Sequence, residues 1–83
     1  MKVEILTPKD LIYRGEVSLI QLPGLDGLFE ILNNPAPMIT MLSEGNVKLV
    51  EENNTSRFFS IQGGLVEILA NKVLVLAEGC HPK

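Results

Sequence analysis

Apolar positions recur in short stretches along this chain, with turn residues between them at a spacing of roughly 8–12 residues. Lys2–Thr7 is apolar and β-branched and stops at Pro8, with Lys9-Asp10 as a turn. Leu11–Arg14 and Glu16–Leu22 follow on either side of Gly15. Pro23-Gly24 and Asp26-Gly27 are turn pairs around Leu25, and Leu28–Leu32 is a short apolar run. Asn33 to Pro37 excludes helix and central strand, because prolines lack a donor and restrict the residue before them. Met38–Leu42, Asn46–Val50, Thr55–Gln62, Leu65–Leu69 and Lys72–Ala77 complete the series. Between them lie Glu44-Gly45, the polar tip Glu51-Glu52-Asn53-Asn54, Gly63-Gly64 and Ala70-Asn71. No long window carries a 3.6-residue period free of Gly or Pro, so the helical reading fails. The pattern predicts an all-β domain over residues 1–78, with 79–83 as a short tail. Its architecture is expected to be a small two-sheet β-sandwich or flattened barrel of about eight to ten short antiparallel strands.

A half-buried strand alternates apolar with polar positions, and several of these strands do not. Val17 and Leu19 oppose Ile20 and Leu22; Val66 and Ile68 oppose Leu65 and Leu69; Val73, Val75 and Ala77 oppose Leu74 and Leu76. A small sandwich has one interior, so the second faces serve a partner protein or lie under loops that curl over them. The interior set read from the pattern is Val17, Leu19, Phe29, Ile31, Val47, Leu49, Phe59, Ile61, Val73 and Val75.

Composition removes most other functions. The 83 residues suffice for one modest core and not for a two-domain enzyme with a cleft. Apolar residues are 46% and charged residues 20%, with net charge −3. Seven scattered basic residues form no footprint for nucleic acid or anionic lipid. The single cysteine, Cys80, excludes an internal disulfide and a cysteine-rich metal site. The only histidine, His81, lies beside it, but neighbours on an extended chain point in opposite directions. No glycine-rich phosphate loop is present, and Gly24 and Gly27 read as turn residues. Catalytic residues, metal ligands and cofactors are therefore expected to be none. One alternative of another class is a lipoyl or biotinyl carrier domain, with Lys72 near a hairpin tip as the modified lysine. Its flanks, Asn71 and Val73, do not match that family. A generic β-sandwich interaction module is the other alternative.

The most specific signal is an ordered set of pieces. It runs Leu6-Thr7-Pro8, Gly15-Glu16-Val17, Leu22-Pro23-Gly24-x-x-Gly27-x-Phe29-x-Ile31-Leu32, Ala36-Pro37, Ser43-x-Gly45-x-Val47, Gly63-Gly64-x-x-Glu67 and Asn71-x-Val73-x-Val75-Leu76-Ala77. From Val3 to Glu78 this resembles the amino-terminal β-sandwich domain of epsilon subunits of F-type ATP synthases. The resemblance implies a non-catalytic rotor subunit of the central stalk, joining the gamma subunit to the ring of c subunits. It implies ring contacts at Leu25, Asp26, Leu28 and Glu30, and gamma contacts at Pro35, Met38 and Thr40. It also implies a peripheral location at the cytoplasmic face of the inner membrane. Glu30 stands where the family usually has glycine, and Pro35 where it usually has histidine. The family's carboxy-terminal helical pair, which inhibits hydrolysis and in some members binds ATP, has no counterpart here. The expected chain is thus a short form that binds no ATP.

Overall fold

The computed structural model describes all 83 residues. Seven strands form: β1 (Lys2–Leu6), β2 (Leu11–Gly24), β3 (Gly27–Leu32), β4 (Met38–Glu51), β5 (Ser56–Leu69), β6 (Lys72–Ala77) and β7 (Cys80–Pro82). No helix is present. The all-β reading holds, but the count falls short of eight to ten because three expected breaks are bends. Gly15 lies inside β2, Glu44-Gly45 inside β4 and Gly63-Gly64 inside β5, and each of these strands runs for 14 residues. β4 and β5 keep one register from Met38↔Ile68 to Val50↔Ser56 across the bend. Glycine is required there: Gly63 has φ +101, and a side chain on Gly64 would strike the Leu76 carbonyl oxygen.

The bent strands serve both layers of a sandwich. One layer holds β3, the second half of β2, the second half of β4, the first half of β5, and β7. The other holds the first half of β4, the second half of β5, β6, β1 and the first half of β2. The path β1–β6–β5–β4–β2 closes on itself through the β1–β2 pairing, and β3 and β7 extend it from β2 and β5. All neighbours are antiparallel except β1 and β6.

An 18-residue apolar cluster fills the interior, with no buried charged or polar residue in it. Val17, Ile31, Val47, Leu49, Phe59, Ile61, Val73 and Val75 are buried as the pattern predicts. Leu19 is a correction. β2 pairs Val17 with Glu51 but Leu19 with Val50, so one extra residue is inserted at Ser18. Such a bulge shifts the side-chain parity. Val17, Ile20 and Leu22 therefore all face inward, and Leu19 is half-buried on the outside. Phe29 is half-buried and packs against the cluster. The segment expected to be a tail is also partly strand: β7 pairs Cys80 with Ile61 and Pro82 with Phe59, burying Cys80.

Candidate docking surfaces

The β2–β3 hairpin closes on the pair Gly24↔Gly27, leaving Leu25-Asp26 as a two-residue loop. Gly27 has φ +124, a conformation glycine tolerates and side chains resist. Ser43 anchors the hairpin's base, its hydroxyl 3.3 Å from the carbonyl oxygens of Pro23 and Gly24. At the corner so built, Leu25 and Leu28 are each 65% exposed and Leu32 is 58% exposed. Leu25, Asp26, Leu28 and Glu30 thus share one protruding corner, free of the core. The Glu30 carboxylate accepts one long hydrogen bond, from the Gln21 amide nitrogen at 3.4 Å, and forms no ion pair.

Asn33 to Pro37 crosses from β3 to β4. Asn34 adopts φ 58 and its amide donates to the Asn71 side chain at 3.0 Å, while the Met1 ammonium donates to Asn33 Oδ1 at 3.0 Å. Pro35 and Met38, with Phe29, Ile31 and Ile68, line an open apolar groove beside this crossing. The residues for which the resemblance implies gamma contact share one degree of burial, and the exposed side chains are their neighbours. Pro35, Met38 and Thr40 are half-buried, whereas Ile39 and Met41 stand out at 65% and 59% exposure.

Those two lead onto a surface that single-strand patterns do not reveal. The strand registers set Met41 beside Leu65, Leu65 beside Leu76, Leu76 beside Leu6 and Leu6 beside Leu11. Met41, Leu65, Leu76 and Leu6 each adjoin a buried residue and point the other way, and Leu11 shares the face of its partner Leu6, so the five form an apolar row across the outer face of the second layer. The adjoining row runs Ile39, Glu67, Leu74, Glu4 and Arg14. The signal in the sequence was the two-sided apolar character of β5 and β6. Without the registers, nothing showed that β4, β1 and β2 contribute to the same band.

Charge is confined to the flanks of this band. Arg14 Nε donates to Glu4 Oε2 at 2.7 Å and Lys72 Nζ lies 3.4 Å from Glu4 Oε1. The Arg14 hydrogen bond, more than the Lys72 contacts, holds the Glu4 carboxyl below its ordinary value. Where β2 approaches the other layer, Tyr13 donates to Glu51 Oε2 at 2.6 Å and Arg57 Nε donates to the same oxygen at 2.9 Å. The Tyr13 hydrogen bond, then Arg57, lowers Glu51, while burial and then Glu51 push Tyr13 up to about 12. Cys80 and His81 do not meet, since Cys80 is buried and His81 exposed on adjacent positions of β7. Burial pushes the Cys80 thiol up, away from a reactive thiolate. Lys72 is exposed and paired with Glu4, with no tip geometry of its own beyond the Ala70-Asn71 turn. The arrangement offers surface rather than chemistry.

Comparison with known proteins gives the same picture. The family model described as the β-sandwich domain of the ATP synthase delta/epsilon chain matches residues 1–83. The ATP synthase epsilon chain of Chlorobium limicola is 40% identical over 77 residues, covering 93% of this chain and 88% of that one. The epsilon chain of Chlorobaculum tepidum is 37% identical over 76 residues, covering 92% and 86%. That of Sulfurimonas denitrificans is 39% identical over 79 residues, but the match spans only 61% of its length. Among solved structures, a chain of the Euglena gracilis mitochondrial ATP synthase (OSCP/F1/c-ring) superposes with a TM-score of 0.90 at 16% identity, over 96% of this chain and 51% of that one. A chain of the Tetrahymena thermophila mitochondrial ATP synthase central stalk and c-ring gives 0.80 at 24%, over 98% and 65%. At these identities the two structures speak to the fold alone.

Proposed function

We infer the role of this chain from its family: it belongs to the delta/epsilon β-sandwich family of ATP synthases. It is a non-catalytic stalk subunit, and the complex it joins is the enzyme. That membership displaces the carrier-domain alternative centred on Lys72. The reading for its contacts is that the chain bridges two neighbours, the gamma subunit and the ring of c subunits. The c-ring meets the corner bearing Leu25, Asp26, Leu28 and Glu30. Gamma meets the stretch containing Pro35, Met38 and Thr40, extended to Ile39 and Met41 and to the apolar row that continues from them. As part of the ATP synthase complex, the chain is assigned to the cytoplasmic face of the inner membrane, held there by its neighbours.

The observation that carries the gamma assignment is the continuous row Met41, Leu65, Leu76, Leu6 and Leu11 on the outside of the second layer, with Met41, Leu76 and Leu11 exposed and Leu65 and Leu6 half-buried. A contiguous apolar face of this kind marks an interaction site on a water-exposed protein. Central anchors of such faces cost about 2 kcal/mol or more when removed, roughly a thirtyfold loss of affinity. Leu76→Asp and Met41→Asp are therefore expected to weaken co-precipitation with the cognate gamma subunit by at least about tenfold. Both side chains point away from the core, so each variant is expected to melt within a few degrees of the wild type. Undiminished recovery of gamma by both variants would remove this face from the interface.

A further inference from the structure

The sandwich has four strand edges, and they are not equally guarded. β7 is three residues long and ends in Pro82, which has no donor to offer. The first half of β2 is bridged to the other layer by Tyr13, Glu51 and Arg57. The bare part of β4, Met38–Met41, is short and follows directly on Pro37. β3 is different: it runs six residues without proline and pairs with β2 alone.

The hairpin fixes which groups of β3 face the empty side. A two-residue loop makes its closing pair, Gly24↔Gly27, a hydrogen-bonded one. Alternation then makes Leu22↔Phe29 and Ile20↔Ile31 hydrogen-bonded pairs as well. Pro23↔Leu28, Gln21↔Glu30 and Leu19↔Leu32 are the intervening non-bonded pairs. The amides and carbonyls of Leu28, Glu30 and Leu32 therefore point away from β2. None of the three takes part in the backbone hydrogen bonds formed outside the strands.

We propose that β3 receives an extended segment of a neighbouring protein as an added strand, with a basic residue facing Glu30 between apolar residues facing Leu28 and Leu32. The idea rests on the docking reading only in taking the β2–β3 corner as an interface. Charge selects the occupant. If two copies of β3 paired antiparallel through all three bare positions, Glu30 would lie against Glu30, and like charges directly opposed are destabilising. Glu30 has no cation near it, only the long Gln21 contact, and the chain carries net charge −3. An incoming strand gains the bare main-chain groups as partners, as other strand-addition complexes do. Its lysine or arginine gains the unpaired Glu30 carboxylate, and its flanking side chains cover Leu28 and Leu32.

Hydrogen exchange resolved to single amides tests this in the assembled rotor and in the free chain. The amides of Leu28, Glu30 and Leu32 are expected to slow by roughly tenfold or more on assembly, a two-residue period that side-chain docking alone does not produce. Leu28→Pro removes one outward donor without touching the β2 ladder, and is expected to abolish the protection at its neighbours while the free chain stays folded. A rotor that contains the chain while these amides exchange as in the free chain would overturn the proposal and leave the stalk assignment standing. A second arm is independent of the rotor. The isolated chain is titrated with a heptapeptide bearing lysine at its centre, valine two positions to either side and threonine elsewhere, and with its glutamate-centred counterpart. The lysine peptide is expected to bind at least about tenfold tighter at low salt and to shift the same amides. Equal binding by the two peptides, no shift at those amides, or protection that grows with the concentration of the chain alone, would each overturn it. A rotor lacking the chain altogether would count against the stalk assignment, and the peptide arm would still decide this proposal.

Discussion

Ala70 sits with φ 53 and Asn71 with φ 59 in the two-residue turn between β5 and β6. Two positive values mark the turn whose twist matches the flanking strands, and asparagine and glycine are its usual residues. Alanine pays about 1–2 kcal/mol for that conformation, while glycine there costs roughly 0.5–1 kcal/mol in lost chain freedom. Ala70→Gly is therefore expected to raise the melting temperature by several degrees, at about 4–8 °C per kcal/mol for a domain this size. A lower melting temperature would mean that chain entropy outweighs the strain. Tyr13 supports a second expectation. It is the only tyrosine and the chain has no tryptophan, so tyrosinate absorbance reports this phenol alone. Its pKa is raised from 10.0 to about 12, so its stabilising contribution is complete below pH 10 and disappears as pH rises toward 12. Glu51 is held below its ordinary 4.5, so its contribution is complete above that pH and is lost as acid protonates it. Denaturant melts across pH are expected to decline at both ends. Tyr13→Phe is expected to flatten the decline above pH 10, and an unchanged alkaline decline in that variant would place its origin elsewhere.

Strand identity and strand continuity were legible to different degrees, and the reason is physical. Phe58 and Phe59 are neighbours of equal hydrophobicity, yet alternation along Thr55–Gln62 puts Phe59 with Ile61 on the inner face. The structure agrees: Phe59 is 5% exposed and Phe58 is 44% exposed. Phe59→Ala is expected to cost roughly 3–5 kcal/mol, a large share of the stability of so small a domain. Phe58→Ala is expected to cost far less, losing mainly its contact with the Lys48 ammonium, 6.0 Å from the ring centre. Comparable losses in chemical denaturation would mean the strand's faces are misassigned. What alternation cannot see is a change of phase within a strand. The extra residue at Ser18 moves Leu19 outward and brings Ile20 and Leu22 inside, and only its partners on β4 reveal it. Glycine is ambiguous in the same way. Gly27 ends a hairpin, while Gly63-Gly64 carries one strand from one layer into the next. β7 was illegible because three residues set no period; Cys80 is buried through its place beside Ile61.

Over the whole molecule the apolar side chains fall into two sets, one filling the interior and one left on the surface. The interior side chains are all apolar, and the large exposed apolar side chains other than Phe58 lie at the β2–β3 corner or along the second layer. The exposure of the corner was partly legible in the sequence, since leucines at a tight loop tip do not easily fold back into the core, although capping one end of the sandwich was open to them. The band was not legible, because it is assembled from five strands whose registers no single segment specifies. This separation makes Leu28 an informative position. It is 65% exposed and lies opposite Pro23 at the hairpin's base, so an acidic side chain there meets water rather than the core. Leu28→Asp is expected to leave the melting temperature within a few degrees of the wild type. If the corner meets the c-ring, the same change removes an apolar anchor and adds a charge beside Asp26 and Glu30, and anchors of this kind are worth about 2 kcal/mol or more. Asp26→Asn alters only charge at an exposed rim, so a smaller effect is expected, largest at low salt. A pull-down of reconstituted rotor alongside a melt of each variant separates the cases. Normal rotor assembly with Leu28→Asp would take the corner out of the interface. A large loss of melting temperature would instead give Leu28 a packing role that its exposure does not suggest.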